Sequence, residues 1–202
     1  MKKYFVTGID TDSGKTIVSA ILAQKLKADY WKPIQAGQPT DSDTVRSLVS
    51  KDTLVHPEGL ILKAPMSPHA AARLEGVEVA IDQIRQPICH NDNLIIEGAG
   101  GIMVPLNDHE FVIDLAKKFD AEVILVSRNY LGSINHTLLS INYLQQNDFP
   151  VKGIIFNGEL NTASEEFILK HSGLPCLGRI PLLEKIDTSA IQSLGKEISI
   201  QP

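Results

Sequence analysis

The chain has 202 residues, a formal net charge of −5 and a hydrophobic content of 43%. This length and composition are typical of a globular protein, and we predict a single domain over residues 1–202. The acidic balance argues against non-specific binding to nucleic acid, and no apolar run is long enough to cross a membrane. A disulfide between Cys89 and Cys176 is compatible with the sequence, but we expect idle thiols in a reducing cytoplasm. The expectation is a cytoplasmic protein without a nucleic-acid or membrane partner.

A glycine-bounded loop follows the first predicted strand, at residues 4–6. Gly8 and Gly14 bound this loop, and Gly14-Lys15-Thr16 opens an apolar helical segment. Strand, loop and helix in this order are the context of a phosphate-binding loop, in which Lys15 contacts the outer phosphates and Thr16 binds Mg²⁺. Five residues separate the two glycines, whereas the usual P-loop has four. The alternative is an ordinary strand-to-helix turn.

Short apolar runs alternate with helical segments along the chain. The predicted strands are residues 4–6, 30–31, 60–62, 94–96, 123–126 and 154–156, and the predicted helices are residues 16–26, 43–49, 111–119, 134–146 and 164–171. This alternation indicates βαβ units. We therefore predict an α/β fold, a P-loop NTPase-like three-layer sandwich whose mostly parallel central sheet is flanked by helices. Ligands of such sheets bind at the carboxyl ends of the strands.

Four charged residues in three segments are candidates for the site at this edge of the sheet. Lys32 would neutralise a phosphate or an anionic substrate, or it is a solvated surface lysine. Asp41 and Asp43 open a helix, where either acid is an N-cap or a magnesium ligand. Glu97 ends a buried strand and precedes a glycine-rich run, so it is a second magnesium carboxylate or part of a simple turn.

Two further strand ends carry polar groups. The amide of Asn157 can read a purine edge, although Asn157-Gly158 is also a common turn pair. Residues 178–183 form a strand exit or an apolar ledge beside a base. The helix that begins near residues 131–136 would favour a carboxylate at its N-terminus, and we expect His136 to be structural.

Together these motifs resemble dethiobiotin synthetase, in family order from residue 4 to about residue 183. The motifs are Gly8-x-Asp10-Thr11-x-x-Gly14-Lys15-Thr16, Lys32-Pro33 with Gly37, Asp41-x-Asp43, Ser67-Pro68-His69, Glu97-Gly98-Ala99-Gly100-Gly101, Leu131-Gly132-x-Ile134-Asn135-His136 and Asn157. The five-residue spacing of the loop is that of the family. Generic P-loop proteins lack the Ser-Pro-His and Gly-x-Ile-Asn-His motifs.

The resemblance implies an ATP-dependent ligase of biotin biosynthesis, acting on 7,8-diaminononanoate, CO2 and ATP with Mg²⁺. One amine takes up CO2 as a carbamate, which attacks the γ-phosphate to give a carbamic-phosphoric anhydride. The second amine then closes the cyclic urea and expels phosphate. The family also implies a homodimer with its active site at the subunit interface.

The resemblance assigns roles by position. The catalytic residues are Lys15, Lys32 and Thr11; the metal ligands are Thr16, Asp43 and Glu97; the substrate contacts are Thr11, Lys32, Ala36, Ser67 and, from the partner subunit, Gly132, Ser133 and Asn135. The nucleotide contacts are Asp12, Ser13, Gly14, Lys15, Thr16, Ile17, Asp43, Glu97, Gly98, Ala99, Gly100, Asn157, Gly158, Pro181, Leu182 and Leu183. The chain departs from many members at Ala36, where they have Ser or Thr, and near Phe167, where an aromatic hydroxyl is absent. Both departures concern the grip on the substrate.

Two other classes share the predicted fold. A partition-type ATPase switch carries a signature lysine five residues before the lysine of Gly-Lys-Thr, where this chain has Asp10. A cobyrinate-amidation-like ligase needs a glutaminase domain as its ammonia source, and 202 residues do not hold both domains. Both alternatives are therefore less favoured than the ring-closing ligase.

Overall fold

The computed structural model describes residues 1–200; Gln201 and Pro202, which the predicted domain includes, lie outside the described residues. The strands are β1 (Lys2–Gly8), β2 (Asp29–Trp31), β3 (Ile34–Ala36), β4 (Leu60–Leu62), β5 (Asn93–Gly101), β6 (Glu122–Arg128), β7 (Val151–Asn157) and β8 (Cys176–Ile180). The helices are α1 (Lys15–Leu26), α2 (Asp41–Leu48), α3 (Pro68–Glu75), α4 (Asp114–Lys118), α5 (Ser133–Gln146), α6 (Thr162–Ser172) and α7 (Thr188–Glu197).

Six strands form the central sheet in the order β2-β5-β1-β6-β7-β8, and every neighbouring pair is parallel. Because all six strands run the same way, their carboxyl ends meet at one edge. The remaining two strands, β3 and β4, form a separate parallel pair beside this edge. The run at residues 60–62 is therefore a strand, as predicted, but it belongs to the small sheet.

The two faces of the sheet bury alternate residues of the same strands. On one face, Tyr4, Ile95 and Ile124 pack with the inward sides of α1, α2 and α7. On the other face, Phe5 and Ile96 pack with residues of α3 and α4, and the β6–β7 part of that face packs with α5 and α6. This arrangement confirms the predicted three-layer α/β fold and explains why the strands read as continuous apolar runs.

Four elements were absent from the sequence prediction: β3, α3, α7 and β8. Helix α3 begins at Pro68, and proline is well suited to the first helical position because its missing N–H has no intrahelical partner there. Strand β8 contains Gly178 and Arg179, which weaken its apolar pattern.

Among residues 1–200, no helix combines the length and the apolar character that a membrane crossing needs.

A buried carboxylate anchors the start of β2. Asp29 is fully buried; its Oδ2 lies 2.9 Å from His56 Nε2 and accepts a 2.9 Å hydrogen bond from the His90 backbone N–H, while its Oδ1 accepts from Asn91 Nδ2 at 2.6 Å. Burial alone would raise the pKa of Asp29, but these three hydrogen bonds outweigh it and lower the pKa below its ordinary value. Asp29 therefore ties the edge strand β2 to two loops as an anion.

We predict that Asp29→Asn lowers the free energy of unfolding by about 2 kcal/mol or more at pH 7, because it weakens several buried hydrogen bonds to a charged group. The folded pKa lies below the unfolded one, so the contribution of Asp29 is present above the unfolded pKa and is lost as the pH falls through the folded pKa. The difference between wild type and variant should therefore shrink below about pH 4. Urea unfolding at pH 7, 5 and 3.5 measures it.

The exposed Asp52 supplies the matched control, since Asp52→Asn should leave the free energy of unfolding unchanged. A difference between wild type and Asp29→Asn that is as large at pH 3.5 as at pH 7 would contradict the assignment.

Candidate active site

A cleft of about 880 Å³ opens at the carboxyl ends of β1, β2 and β5. The phosphate loop and the start of α1 form one wall, and the starts of α2 and α3 form the others. Of the residues proposed from sequence, the cleft brings together Thr11, Asp12, Gly14, Lys15, Thr16, Ile17, Lys32, Ala36, Ser67, Glu97, Ala99 and Gly100. The parallel topology thus unites motifs that are as far apart in sequence as residues 11 and 100.

The phosphate loop is held from behind by β7. After a 3-10 turn at Thr11–Ser13, Gly14 adopts a left-handed φ of +94° and leads into α1. A Cβ at Gly14 would collide with the side-chain amide of Asn157, whose Nδ2 donates a 2.7 Å hydrogen bond to Ser13 O. Glycine is therefore required at position 14 both by backbone conformation and by space. Asn157 uses one N–H of its amide to brace the loop, so its second N–H and its Oδ1 remain to serve a base.

Lys15 points into this loop. Its Nζ donates to Asp10 O at 2.9 Å and to Thr11 O at 3.0 Å. Burial disfavours the ammonium and lowers the pKa of Lys15 to about 8; the neighbouring Glu97 opposes this shift and Lys32 adds to it. An anionic ligand in the loop would favour the charged form.

A cluster of charged groups lies next to the loop. Lys32 Nζ lies 2.6 Å from Asp41 Oδ2 and 3.1 Å from Glu97 Oε1, and it also donates to Gly98 O at 2.8 Å. Burial alone would lower the pKa of Lys32, but the carboxylates of Glu97 and Asp41 outweigh it and raise the pKa. Conversely, burial would raise the pKa of Asp41, and the charge and hydrogen bond of Lys32 lower it. The buried lysine is therefore a cation between two acids.

The hydroxyl of Thr16 completes the cluster. Its Oγ1 lies 2.9 Å from Glu97 Oε1 and 3.1 Å from Asp41 Oδ1. A hydroxyl carries one proton, so it donates to one carboxylate at a time. Three oxygen donors of the kind that Mg²⁺ prefers thus converge beside the phosphate loop.

The structure does not bring Asp43 to this cluster, although the resemblance implies it as a metal ligand with Thr16 and Glu97; Asp41 lies there instead. The carboxylate of Asp43 is 62% exposed and pairs with Arg46 at 2.6 Å. The helix is capped by Thr40, so Asp41 is its first residue and Asp43 its third. Residues two apart on a helix differ by about 200° in direction, so only one of these acids can face the cleft.

Two side chains that the sequence analysis missed hold the acids in place. The hydroxyl of Tyr30 lies 3.0 Å from Glu97 Oε2, and Gln35 Oε1 accepts a 3.1 Å hydrogen bond from the backbone N–H of Asp41. Gln35 Nε2 also donates to Gly37 O at 3.2 Å. Both residues lie on short strands, where the sequence pattern gives no signal of a polar partner.

The remaining candidate residues lie outside the cleft. Gly132 and Asn135 line a second cavity of about 630 Å³ at the start of α5, whereas the side chain of Ser133 is buried. Residues 181–183 follow β8, with Leu182 64% exposed. Gly158 N donates to Ile180 O at 2.9 Å, which joins the ends of β7 and β8. In this chain, residues 132–135 do not line the cleft that holds Lys15 and Lys32.

Comparisons with known proteins support the fold. A family model described as an AAA domain matches residues 2–190. Among solved structures, a cell division ATPase MinD from Pyrococcus furiosus has a TM-score of 0.58 at 13% identity, with 98% of each chain covered. A ParA family ATPase from Chlorobium tepidum has a TM-score of 0.53 at 17% identity, covering 98% of this chain and 96% of that one. These likenesses confirm the P-loop NTPase-like fold and carry no functional argument.

Sequence relatives are much more similar. The ATP-dependent dethiobiotin synthetase of Cytophaga hutchinsonii is 56% identical over 200 residues, covering 98% of this chain and 97% of the relative. That of Christiangramia forsetii is 53% identical over 182 residues, covering 89% and 87%. With this level of identity over nearly its whole length, the chain belongs to the ATP-dependent dethiobiotin synthetase family.

Proposed function

We propose that this protein is a ligase that forms dethiobiotin from 7,8-diaminononanoate, CO2 and ATP in biotin biosynthesis. The observation that carries the proposal is the cluster of Lys32, Thr16, Asp41 and Glu97 at the mouth of the phosphate loop. Family membership supports the same reaction. The cluster offers oxygen donors for a cation and a lysine for an anion at the place where a terminal phosphate meets a second substrate.

In the proposed reaction, one amine of the substrate adds to CO2 and loses a proton, giving a carbamate. A carbamate oxygen attacks the γ-phosphorus, and ADP leaves. The second amine then attacks the carbonyl carbon, the C–O bond to phosphate breaks, and the ring closes with loss of a proton. Both reacting partners of the phosphoryl transfer are anions, so cations must lie between them.

Lys15 and Lys32 supply these cations from the protein. Lys15 lies inside the loop and would contact the outer phosphates, while Lys32 faces the cleft beside Ala36 and Ser67. Thr11 lines the same cleft and would contact the carbamate or an amine. Turning either lysine from its present protein acceptors toward the substrate places positive charge where negative charge develops.

The residues present fit Mg²⁺ as the metal. The hydroxyl of Thr16 lies within hydrogen-bond distance of the carboxylates of both Asp41 and Glu97, and Mg²⁺ takes oxygen ligands such as these together with phosphate oxygens. Bound there, the ion would neutralise the charge on the β- and γ-phosphates. Asp41 would take the role that the resemblance assigned to Asp43.

The nucleotide would lie along the loop from Asp12 to Ile17, with Gly98 to Gly100 on its other side. Gly100 has a left-handed φ of +65°, which lets the backbone turn close to a ligand. The base would lie near Asn157 Oδ1, Gly158 and the exposed segment from Pro181 to Leu183. This placement is supported by the hydrogen bonds that join the phosphate loop to β7 and β7 to β8.

We also propose a homodimer in which the partner subunit receives the carboxylate tail of the substrate. Gly132 and Asn135 are exposed at the start of α5, and no side chain caps this helix. A helix N-terminus suits a carboxylate. The Ser133 side chain is buried, so position 133 would contribute its backbone only. The proposal places the enzyme in the cytoplasm, without nucleic-acid or membrane partners.

A partition-type switch is not favoured. Its signature lysine would occupy position 10, where Asp10 instead accepts a 2.7 Å hydrogen bond from the backbone N–H of Thr11. Asp10 thus caps the 3-10 turn of the loop.

The test of the proposed function is phosphate release from ATP and Mg²⁺ in bicarbonate buffer, with and without 7,8-diaminononanoate. Mass spectrometry of the same samples detects the cyclic urea. We expect release that depends on the diamine and equals the amount of ring product. Release that is the same without the diamine, or none with it, would reject the ligase.

We predict that Lys32→Ala reduces turnover by about 10²–10³-fold or more, the loss typical of removing one charge-stabilising group, while ATP still binds. Steady-state kinetics and calorimetric titration with ATP measure the two effects. The exposed Lys51 provides the control Lys51→Ala, for which both values should match wild type. Normal turnover in Lys32→Ala would remove Lys32 from the mechanism.

The pair Asp41 and Asp43 allows a matched test of the metal ligand. Asp41→Asn should raise the Mg²⁺ concentration for half-maximal activity by about tenfold or more, since even lesser changes around a metal have effects of this size. Asp43→Asn should leave it unchanged, because its carboxylate faces solvent. The measurement is activity as a function of Mg²⁺ concentration at saturating ATP for both variants. A larger Mg²⁺ requirement in Asp43→Asn than in Asp41→Asn would favour Asp43 as the ligand.

For the subunit interface, we predict that Asn135→Ala raises the apparent KM for the diamine while the affinity for ATP changes little. The expected reason is the loss of one hydrogen bond to the substrate carboxylate, worth about 1.5–3 kcal/mol or roughly 10–100-fold. Diamine kinetics and sedimentation of the protein measure the effect and the oligomeric state. A monomer with full activity would contradict the proposed dimer site.

A further inference from the structure

Tyr30 is a buried polar group that the proposed reaction does not use directly. It is fully buried in β2, where it packs with Val45 and Leu48 of α2. Its backbone N–H donates to Leu54 O and its carbonyl accepts from the N–H of His56, both at 2.9 Å. The backbone of Tyr30 is therefore held in place, and this fixes the position from which the side chain extends.

The hydroxyl of Tyr30 has one acid as its partner. It lies 3.0 Å from Glu97 Oε2, while the other oxygen of the same carboxylate, Oε1, faces Thr16 and Lys32 at 2.9 and 3.1 Å. Oε2 of Glu97 thus accepts a hydrogen bond from Tyr30 in the core, while Oε1 faces the residues of the cleft. Because a carboxylate only accepts hydrogen bonds, the phenol must be the donor.

The chemical state of Tyr30 suits this task. A phenol carries its proton at neutral pH and can therefore donate this hydrogen bond, and Tyr30 is held for it in the core. The side chain of Glu97 has no exposed surface, so solvent offers no easy replacement for the donor.

Resting on the proposed function, we infer that Tyr30 is a positioning residue for the metal site. Its hydroxyl binds Glu97 Oε2 and fixes the plane of the carboxylate, so that Oε1 is the oxygen presented beside Thr16. Partners of this kind fix the orientation of a metal ligand, and their loss commonly weakens metal binding 10–100-fold.

The test uses the full-length protein, Mn²⁺ as a probe visible by electron paramagnetic resonance, and ADP. Tyr30→Phe removes one oxygen and keeps the ring. We expect the Kd of Mn²⁺ in the presence of ADP to rise by about tenfold or more, while the Kd of ADP without metal is unchanged. A packing role alone would not change metal affinity selectively.

Tyr4→Phe is the matched control. Tyr4 is also a buried tyrosine, in the same core cluster but on β1, opposite Glu122 of β6 and away from the cleft. Its loss should leave the affinity for Mn²⁺ at the wild-type value. An equal change in both variants would overturn the inference.

A second pair of variants isolates the hydrogen bond. When Tyr30→Phe is added to Glu97→Gln, the affinity for Mn²⁺ should fall no further, because the charged ligand is already lost. A further tenfold fall would contradict a role exerted through Glu97.

The outcomes separate this inference from the function on which it rests. Equal Mn²⁺ affinity in wild type and Tyr30→Phe would overturn the role of Tyr30 and leave the ligase intact. Wild-type protein that binds no Mn²⁺ with ADP would overturn both the metal site and the role of Tyr30.

Discussion

The ion pair of Lys32 with Asp41 and Glu97 is the interaction on which the site depends. Lys32 follows β2, Asp41 begins α2 and Glu97 lies in β5; Lys32 and Glu97 are buried, and the side chain of Asp41 is 34% exposed. An unpaired charge at such a depth would cost several kcal/mol, so each member makes the burial of the others tolerable. The loop after β2 and the start of α2 are consequently fixed with respect to β5. The ion pair that places a cation and two acids beside the phosphate loop therefore also connects three segments of the fold.

The ion pair can form because of the order of the strands in the sheet. Strand β5 lies between β1, which leads into the phosphate loop, and β2, which leads into Lys32. Glu97 is therefore within reach of both the first turn of α1 and the lysine. Gln35 and Tyr30 hold the two acids from behind, which limits the directions in which their oxygens can point. The chemistry proposed for the cleft requires this limitation, since misplaced charges stabilise a transition state poorly.

Much of this could be predicted from the sequence, because Lys15, Lys32 and Glu97 each follow a recognisable apolar strand. The choice between Asp41 and Asp43 could not be predicted, because it depends on which residue caps α2. With Thr40 as the cap, Asp41 is the first residue of α2 and faces the cleft, whereas Asp43 is the third residue and faces solvent. The hydrogen bond of Tyr30 could not be predicted either, because an aromatic residue in a buried strand is typical of the core. Its partner, Glu97, is 67 positions away in the sequence. Partnerships between distant residues are set by tertiary packing, which local patterns do not encode.

The balance of charge in the cleft bears on whether it would bind a nucleotide in its free or its metal-bound form. Two ammonium groups, Lys15 and Lys32, face two carboxylates, Asp41 and Glu97, so with all four ionised the pocket is close to electrically neutral. A bare nucleoside triphosphate would bring four negative charges against acids whose counter-ion, Lys32, must turn away to meet it. The same nucleotide carrying a divalent ion would deliver a cation to the acids as it frees Lys32. By charge alone, the cleft would therefore favour the metal-bound nucleotide over the uncomplexed form, without any steric barrier.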